Sequence, residues 1–433
     1  MKKFLSVEEA MKQGSGQVNI RGWCYRCRHS SQIGFIVVRD VTNIIQCVID
    51  KSKVSEQIWK DVVDIGIEAS LEVVGTIREE KRAPSGYELD VVELKIVGPS
   101  QNYPITKDFS TEFLLDNRHL WIRSRKMVAT FKIRSTLFRA IDDYFREQNF
   151  YEFPPPIFTP NACEGGNTLF KVKYFDNDVV YLTQSWQLYA EAGIFSLEKI
   201  YCVSPCFRAE RSKTSRHLAE FWMAEMEMAW MHLDTVVYQA KGLIKRIIKE
   251  VVTKHEADLK LLGQDVEKLR KIAGSEFPTI TYTKALEILK EKEGMEVEWG
   301  KDLRTVEEEL LMKHFDTPVV VTNYPKEIMA FYKPKDPADP KTALCFDMLA
   351  PEGYGEIIGG SERDWNVDEL ITALKKEGEN IENYQWYLDL RRYGSVPHSG
   401  FGMGVERITA WLCKLENIKD AIPFPRTMLR KRP

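Results

Sequence analysis

Up to about residue 97 the apolar positions alternate or cluster in short β-branched runs. Val18 and Ile20 alternate in VNIRGWCYR, IGFIVVRD is dense in branched side chains, and IIQCVID follows the turn Thr42-Asn43. SLEVVGTI and, past Pro84-Ser85-Gly86, YELDVVELKIVG complete five segments of strand character in under 100 residues. That spacing predicts a small closed barrel. The stretch GPSQNYPITKDFST, 98–111, has the Pro/Gly/Ser character of a connection.

The period then changes. From about 127 to 148, Ile133, Leu137, Ile141, Tyr144 and Phe145 fall on one helical face. YEFPPPIFTP ends that helix, because its prolines enforce an extended chain. A second amphipathic helix is predicted from about 234 to 257, with Asp234 near its start and Val237, Ile244, Ile247, Ile248 and Val251 inward. Short apolar strands surround these helices: VVYLTQS, KIYCVSP, FWMAEMEMAW, PVVVTNY, TALCFDML and GEIIGG. Strands and helices do not alternate strictly, so the fold class is α+β: an antiparallel sheet flanked by helices, behind an N-terminal barrel of the OB type. The expected domains are the barrel at 1–102, a linker or hinge at 103–126, and a large domain at 127–433 with a helical insertion at about 233–275.

Composition adds bounds. The chain has 433 residues, 44% hydrophobic and 29% charged, enough for two or three domains with sizeable cores. A net charge of −3 excludes a globally basic nucleic-acid binder but leaves room for a local basic patch. The eight cysteines are scattered, and the pair Cys24 and Cys27 reads as free thiols near a strand. The opening MKKFLSVEEAMKQG has too short an apolar run for a signal peptide, and no later stretch approaches a membrane span. A reducing cytoplasm is the expected setting.

Candidate chemistry concentrates in FRAERSKTSRHLAEFW, 207–222. Arg208 and Glu210 alternate at what reads as a strand end, so their side chains share a face. A guanidinium matches phosphate or carboxylate oxygens, and a carboxylate can accept from an amino group. Beyond the Ser/Lys/Thr/Ser turn, Arg216 and His217 add donors, and Phe221 offers a ring for a base. The set suits a nucleoside triphosphate; a solvated, ion-paired hairpin is the alternative. In GFGMGVERITAWL, the glycines at 400, 402 and 404 fall on one side of a strand and are expected to leave it bare for a flat ligand. Arg407 follows at a helix start.

In this order, a helix ending at a proline strand, Arg-x-Glu with a loop and Phe, and Gly-x-Gly-x-Gly-x-Glu-Arg resemble the three motifs of class II aminoacyl-tRNA synthetases. The chain is most similar to the subgroup for aspartate, asparagine and lysine, which carries an N-terminal OB anticodon-binding domain. The resemblance implies ATP-dependent activation of an amino acid and its transfer to the terminal adenosine of a tRNA. Arg208 and Arg407 are then the catalytic cations. Arg208 would hold the α-phosphate and the amino-acid carboxylate, Glu210 the adenine amino group, and Phe221 and Arg407 the two adenine faces. Arg216 and His217 would add phosphate contacts. Asp347 and Glu356 resemble the Mg2+ carboxylates; they stand nine positions apart, a longer spacing than in the aspartate enzymes, and the alternative for each is an ordinary strand-end carboxylate. By the same resemblance, the first motif would contribute Pro156 and a homodimer interface.

Amino-acid specificity follows from the same resemblance. Glu164 in CEGGNTLF corresponds to the ammonium-binding glutamate, and Ser185 and Gln187 in LTQSWQLYAEA to the pocket. Aspartate enzymes carry a lysine where this chain has Ala190. Arg363 in GGSERDW would hold the side-chain oxygen and Glu225 would accept from a side-chain NH2, unless Glu225 is bonded to a neighbour instead. One donor and one acidic acceptor describe an amide. In the barrel, Phe35 and Gln46 correspond to positions that stack on and read the middle anticodon base, and Glu93 to a reader of the first. Arg21, Arg26, Arg28 and Arg39 form a basic rim; Phe35 as plain core is the alternative. The expected partners are asparagine, ATP, Mg2+ and tRNA(Asn), with a second copy of the chain and no membrane. An aspartate enzyme serving both tRNAs and a tRNA-independent asparagine synthetase remain as rivals, although the barrel speaks against the latter. A binding protein with a dead catalytic domain would need to have lost Arg208, Glu210 and Arg407.

Overall fold

The computed structural model describes residues 3–106, 109–212, 214 and 216–433. It forms two compact units, Met1–Leu115 and Asp116–Pro433. In the first, β1 (Gly16–His29), β2 (Ile33–Arg39), β3 (Ile44–Asp50), β4 (Ser70–Glu79) and β5 (Tyr87–Gly98) close in the order β1-β2-β3-β5-β4. Alternate residues such as Ile20, Ile36, Val38, Cys47, Val73 and Leu89 fill one barrel core. A bulge between Cys24 and Arg26 shifts the β1–β2 register, so that Cys24 pairs with Val38 and Cys27 with Ile36, both core positions. Both thiols are free.

The stretch expected as a linker is not featureless. Helices span Thr111–Asp116 and Arg118–Trp121, while Lys107 and Asp108 lie outside the described residues. Arg118 is buried in the second unit, donating to Asp420 and to the carbonyls of Lys419, Ile422 and Pro423 at 2.8–2.9 Å. A buried guanidinium needs such a full set of acceptors, so Arg118 and its short helix are part of the second unit's packing.

The second unit is built on an eight-stranded sheet. It runs from β6 (Tyr151–Glu152) through β10 (Lys199–Phe207), β11 (Glu220–Ala229), β12 (Thr279–Thr281), β13 (Val319–Thr322), β14 (Cys345–Ala350), β15 (Gly355–Glu362) and β16 (His398–Gly404). The short strands β7 (Phe158–Thr159), β8 (Lys171–Lys173) and β9 (Val179–Leu182) form a separate small sheet. The spatial order is β12-β13-β14-β15-β16-β11-β10-β6, antiparallel except at its two outer pairs.

Period-2 alternation gives this sheet two unlike faces. Ala224, Met226, Phe346, Met348, Ile358, Phe401 and Met403 pack on the helices Arg125–Glu147 and Leu233–Lys254 through residues such as Ile133, Leu137, Ile141, Ile244 and Ile248. Two further helices, Glu256–Leu261 and Val266–Gly274, extend the cover. Ser124 caps the first long helix by accepting from Met127 N at 3.3 Å. The intervening residues Met223, Glu225, Glu227, Asp347, Gly359, Ser361, Gly400 and Gly402 occupy the opposite face, where the chemistry collects.

Candidate active site

Two adjoining cavities open on that polar face. The larger, about 290 Å³, is lined among others by Glu164, Ser185, Gln187, Glu225, Glu227 and Arg363. The smaller, about 110 Å³, is lined by Glu210, Arg216, His217, Phe221 and Arg407. Arg208, Met223, Glu356 and Gly402 line both, so Arg208 stands at their junction.

Arg208 and Glu210 are not on the strand. β10 ends at Phe207; Arg208 N still donates to Ala219 O at 3.0 Å, but Ala209 N turns away to Thr168 O at 2.7 Å. The two side chains therefore reach the small cavity from a loop rather than from one strand face. The Arg208 guanidinium lies 5.4 Å from the centre of the Phe221 ring, and its buried Nε has no partner among the described residues. Glu210 approaches His217 at 3.6 Å. Burial lowers the pKa of His217 despite that carboxylate. Of the turn that joins them, Lys213 and Ser215 lie outside the described residues.

Arg216 is occupied in this structure. It pairs with Glu308 at 3.3 Å and Glu309 at 2.8 Å, and donates to Gly353 O. Burial, reinforced by Glu356, pushes Glu308 up to about 7. Arg407, in the first turn of the helix Val405–Leu412, donates to Glu356 Oε2 at 2.8 Å and to its carbonyl at 2.9 Å.

The three glycines of β16 do not simply bare the strand. They sit opposite Glu227, Glu225 and Met223 in the β11 register. A Cβ on Gly400 would meet Glu227 Oε2 at 2.1 Å, and one on Gly402 would meet Met223 Cε at 2.2 Å. At Gly400 and Gly402 the room is taken chiefly by these neighbouring side chains, whereas Gly404 meets only Arg407 at 3.4 Å and lines the smaller cavity.

Asp347 and Glu356 converge despite their separation in sequence. A bulge between Met348 and Leu349 shifts the β14–β15 register, so Glu356 pairs with Leu349 and shares Asp347's face. The Cβ position of Gly359 lies 3.4 Å from Asp347 Oδ1 and 3.1 Å from Glu356 Oε1. Burial and the neighbouring Glu356 push Asp347 up to about 8. Burial acts on Glu356 as well, but Arg407 outweighs it and holds that carboxylate below its usual range.

In the larger cavity the polar groups hold one another. Ser185 donates to Glu225 Oε1 at 2.5 Å, and Trp186 N to Oε2 at 3.0 Å. Burial raises the pKa of Glu225. Arg363 makes a two-pronged pair with Glu227, at 2.9 and 2.8 Å, and donates to Ser361 at 2.8 Å. Glu164 accepts from Tyr332 at 2.8 Å, while Gln184 Oε1 accepts from the amides of Cys163 and Glu164, each at 3.0 Å. Ala190 does not line the cavity: it is fully buried with Trp186, Ile194, Ile200 and Cys202.

Sequence reasoning missed Glu227, Tyr332, Lys333, Asp302, Glu308 and Glu309. For Glu227 a signal existed, since an acid two residues after Glu225 in an apolar strand must share its face. The others come from segments far along the chain, with no local pattern pointing to the cavity.

On the barrel, Phe35 lies on the outer face, alternating with the core residues Ile36 and Val38 and covered by the Arg28 guanidinium at 4.7 Å. Plain core is thereby excluded for Phe35. Gln46 donates to Glu88 at 2.6 Å, and Glu93 is exposed on β5. Arg39 does not belong to a basic rim: it is buried in an ion pair with Glu68 at 2.9 Å, unlike Arg21, Arg26 and Arg28.

Residues 110–428 match the family model described as class II tRNA synthetases (D, K and N), and residues 18–97 match an OB-fold nucleic acid binding domain. An asparagine–tRNA ligase of Thermoplasma acidophilum is 45% identical over 432 residues, 99% of this chain and 100% of that protein. One of Lactobacillus johnsonii is 45% identical over 434 residues, covering both chains fully. The crystal structure of asparaginyl-tRNA synthetase from Pyrococcus horikoshii complexed with asparaginyl-adenylate superposes with a TM-score of 0.95 at 42% identity, covering 100% of each chain.

Proposed function

This chain belongs to the class II tRNA synthetases of the aspartate, lysine and asparagine group, and from that premise we infer that it is an asparagine–tRNA ligase. It activates asparagine with ATP and transfers it to the 3'-terminal adenosine of tRNA(Asn). The observation that carries the site assignment is the position of Arg208 at the junction of two cavities, one lined by Phe221 and Arg407, the other by Glu225 and Arg363. A guanidinium there can bind the α-phosphate and the attacking carboxylate together, so catalysis is chiefly positioning and charge neutralisation.

Glu164 takes the substrate ammonium, and Ser185, Gln187, Glu225 and Arg363 take the rest of asparagine. Arg363 supplies the donor for the amide oxygen and Glu225 the acceptor for its NH2. Ser185 and Trp186 fix the direction in which Glu225 presents its oxygens, which favours an NH2 group over a carboxylate. In the smaller cavity Glu210 receives the adenine amino group, Phe221 and Arg407 flank the ring, and Arg216 and His217 meet the phosphates once Arg216 leaves Glu308 and Glu309.

Mg2+ fits the pair Asp347 and Glu356. Two hard carboxylates on one sheet face, Asp347 raised in pKa by burial and by the neighbouring Glu356, are a donor set that a triphosphate-bound cation would complete. When bound, the ion neutralises charge on the phosphates. The outer barrel face with Arg28, Phe35 and Gln46 receives the anticodon, and Glu93 reads its first base. The domain limits inferred from sequence, 1–102 and 127–433, remain our assignment, with Arg118 and its helix added to the second. Exposed Tyr151, Pro156 and Phe158 around the proline strand suit a homodimer contact. Eight free cysteines suit a cytoplasmic setting.

Amino-acid-dependent ATP–pyrophosphate exchange tests the assignment. Asparagine should support exchange and aspartate should not; exchange with aspartate alone would refute it.

A further inference from the structure

Behind the larger cavity lies a charged cluster that the proposed chemistry does not use. Glu191, on the helix Gln187–Leu197, has no exposed side-chain surface. Its carboxylate accepts from Tyr387 OH at 3.0 and 2.9 Å, from His398 Nε2 at 3.1 Å and from Arg391. It also accepts from Gln187 Nε2 at 3.0 Å, one helical turn away. Burial alone would favour the protonated acid, but Arg391 and His398 outweigh it and keep the group ionised.

An ionised carboxylate only accepts, so it fixes which end of the Gln187 amide faces it. The NH2 end is bound to Glu191, and the carbonyl end is left for the cavity that Gln187 lines. Outside the helical backbone ladder, the Gln187 hydrogen bonds among the described residues run from its backbone N–H to Ser185 and from its Nε2 to Glu191, and none reaches its Oε1.

We propose that Glu191 is a positioning residue for amino-acid binding: it holds the Gln187 amide with its oxygen toward the cavity, where it accepts an N–H of the substrate amino acid. This rests on the reading of the larger cavity as the amino-acid site. Without the carboxylate, the Gln187 amide is free to turn and present NH2 groups to the substrate's own donors. The cost falls on amino-acid binding, not on the nucleotide.

The test is pyrophosphate exchange with Glu191→Gln and Gln187→Ala, varying asparagine and ATP separately. Glu191→Gln should raise the KM for asparagine about tenfold, the scale of one hydrogen bond to a charged group, with the KM for ATP unchanged. A merely structural role would lower the active fraction, and hence kcat, without moving one KM against the other. If Glu191→Gln does not fold, Tyr387→Phe removes one donor to Glu191 and should raise the asparagine KM about threefold by the same argument. An unchanged asparagine KM in the Glu191 variant, or in Tyr387→Phe where that is the one that folds, overturns the proposal if Gln187→Ala is impaired. If Gln187→Ala is also normal, the assignment of the cavity itself fails.

Discussion

Ser185 donates its hydroxyl to Glu225 at 2.5 Å across the floor of the larger cavity. The contact leaves Glu225 both a structural partner and a cavity acid, two roles that the sequence presented as alternatives. The bond to Ser185 holds one oxygen and the Trp186 amide the other, yet a carboxylate has about four lone-pair directions and retains acceptors for a ligand. Fixing the group reduces the ordering cost when substrate binds.

Glu225→Gln should therefore damage selection more than folding. A glutamine at 225 can donate as well as accept, so the penalty against a second carboxylate disappears. Pyrophosphate exchange should show kcat/KM for asparagine falling by about 10²-fold or more, with the asparagine-to-aspartate ratio falling too. A variant that loses activity while keeping that ratio would mean that Glu225 only supports the strand.

Arg208 serves both cavities, and its replacement should show it. Arg208→Lys keeps the charge but not the planar fork, and should lower kcat by about 10²–10³-fold in the activation step. The KM values for asparagine and ATP should both rise, because the residue borders both sites. A rise confined to ATP would place Arg208 in the nucleotide cavity alone. Arg407→Lys, by contrast, should move the KM for ATP and leave that for asparagine, since Arg407 lines only the smaller of the two cavities.

What could be read from the chain and what could not divide along physical lines. The barrel strands were legible from their alternating and β-branched runs, because a period of two is a local property. FWMAEMEMAW already separates Glu225 and Glu227 from Ala224 and Met226. The two long helices emerged within a few residues of their limits for the same reason. Arg39 was misread as rim because its partner, Glu68, lies beyond β3 and a helix, and nothing local marks such a pair. The bulge that turns Glu356 onto Asp347's face is likewise invisible until register is known. The β16 glycines were visible, but their occupants, Met223 and Glu227, come from another strand.

The Asp347–Glu356 pair predicts a dependence on pH. Burial and Glu356 push Asp347 up to about 8 in the folded chain, against about 3.9 for a free aspartate. Between those values the folded protein holds a proton that the unfolded chain has lost, so stability falls as pH rises through the window. Asp347→Asn removes that loss. Without Mg2+, its melting temperature should exceed the wild type's by more at pH 8.5 than at pH 5, on the order of a few degrees. Adding Mg2+ with ATP should raise the melting temperature of the wild type more than that of the variant at pH 8.5, narrowing the gap. A gap that ignored pH would show that neither burial nor Glu356 raises the pKa of Asp347 in the fold.

The proposed anticodon face of the barrel lets tRNA recognition be tested apart from activation. Phe35 is not core, so truncating it should not cost the several kcal/mol of a buried aromatic. Its ring lies beneath Arg28, an arrangement that a base can join by stacking, at about 1–3 kcal/mol per base. Phe35→Ala should then raise the KM for tRNA by about 5- to 150-fold on that scale. Gln46→Ala should weaken charging as well, because the amide that Glu88 orients would be lost from the base-reading position. In both variants, pyrophosphate exchange measured without tRNA should match the wild type, since the residues lining both cavities all lie in the second unit. Parallel losses of exchange and charging would instead mean that these residues maintain the barrel and touch no anticodon base.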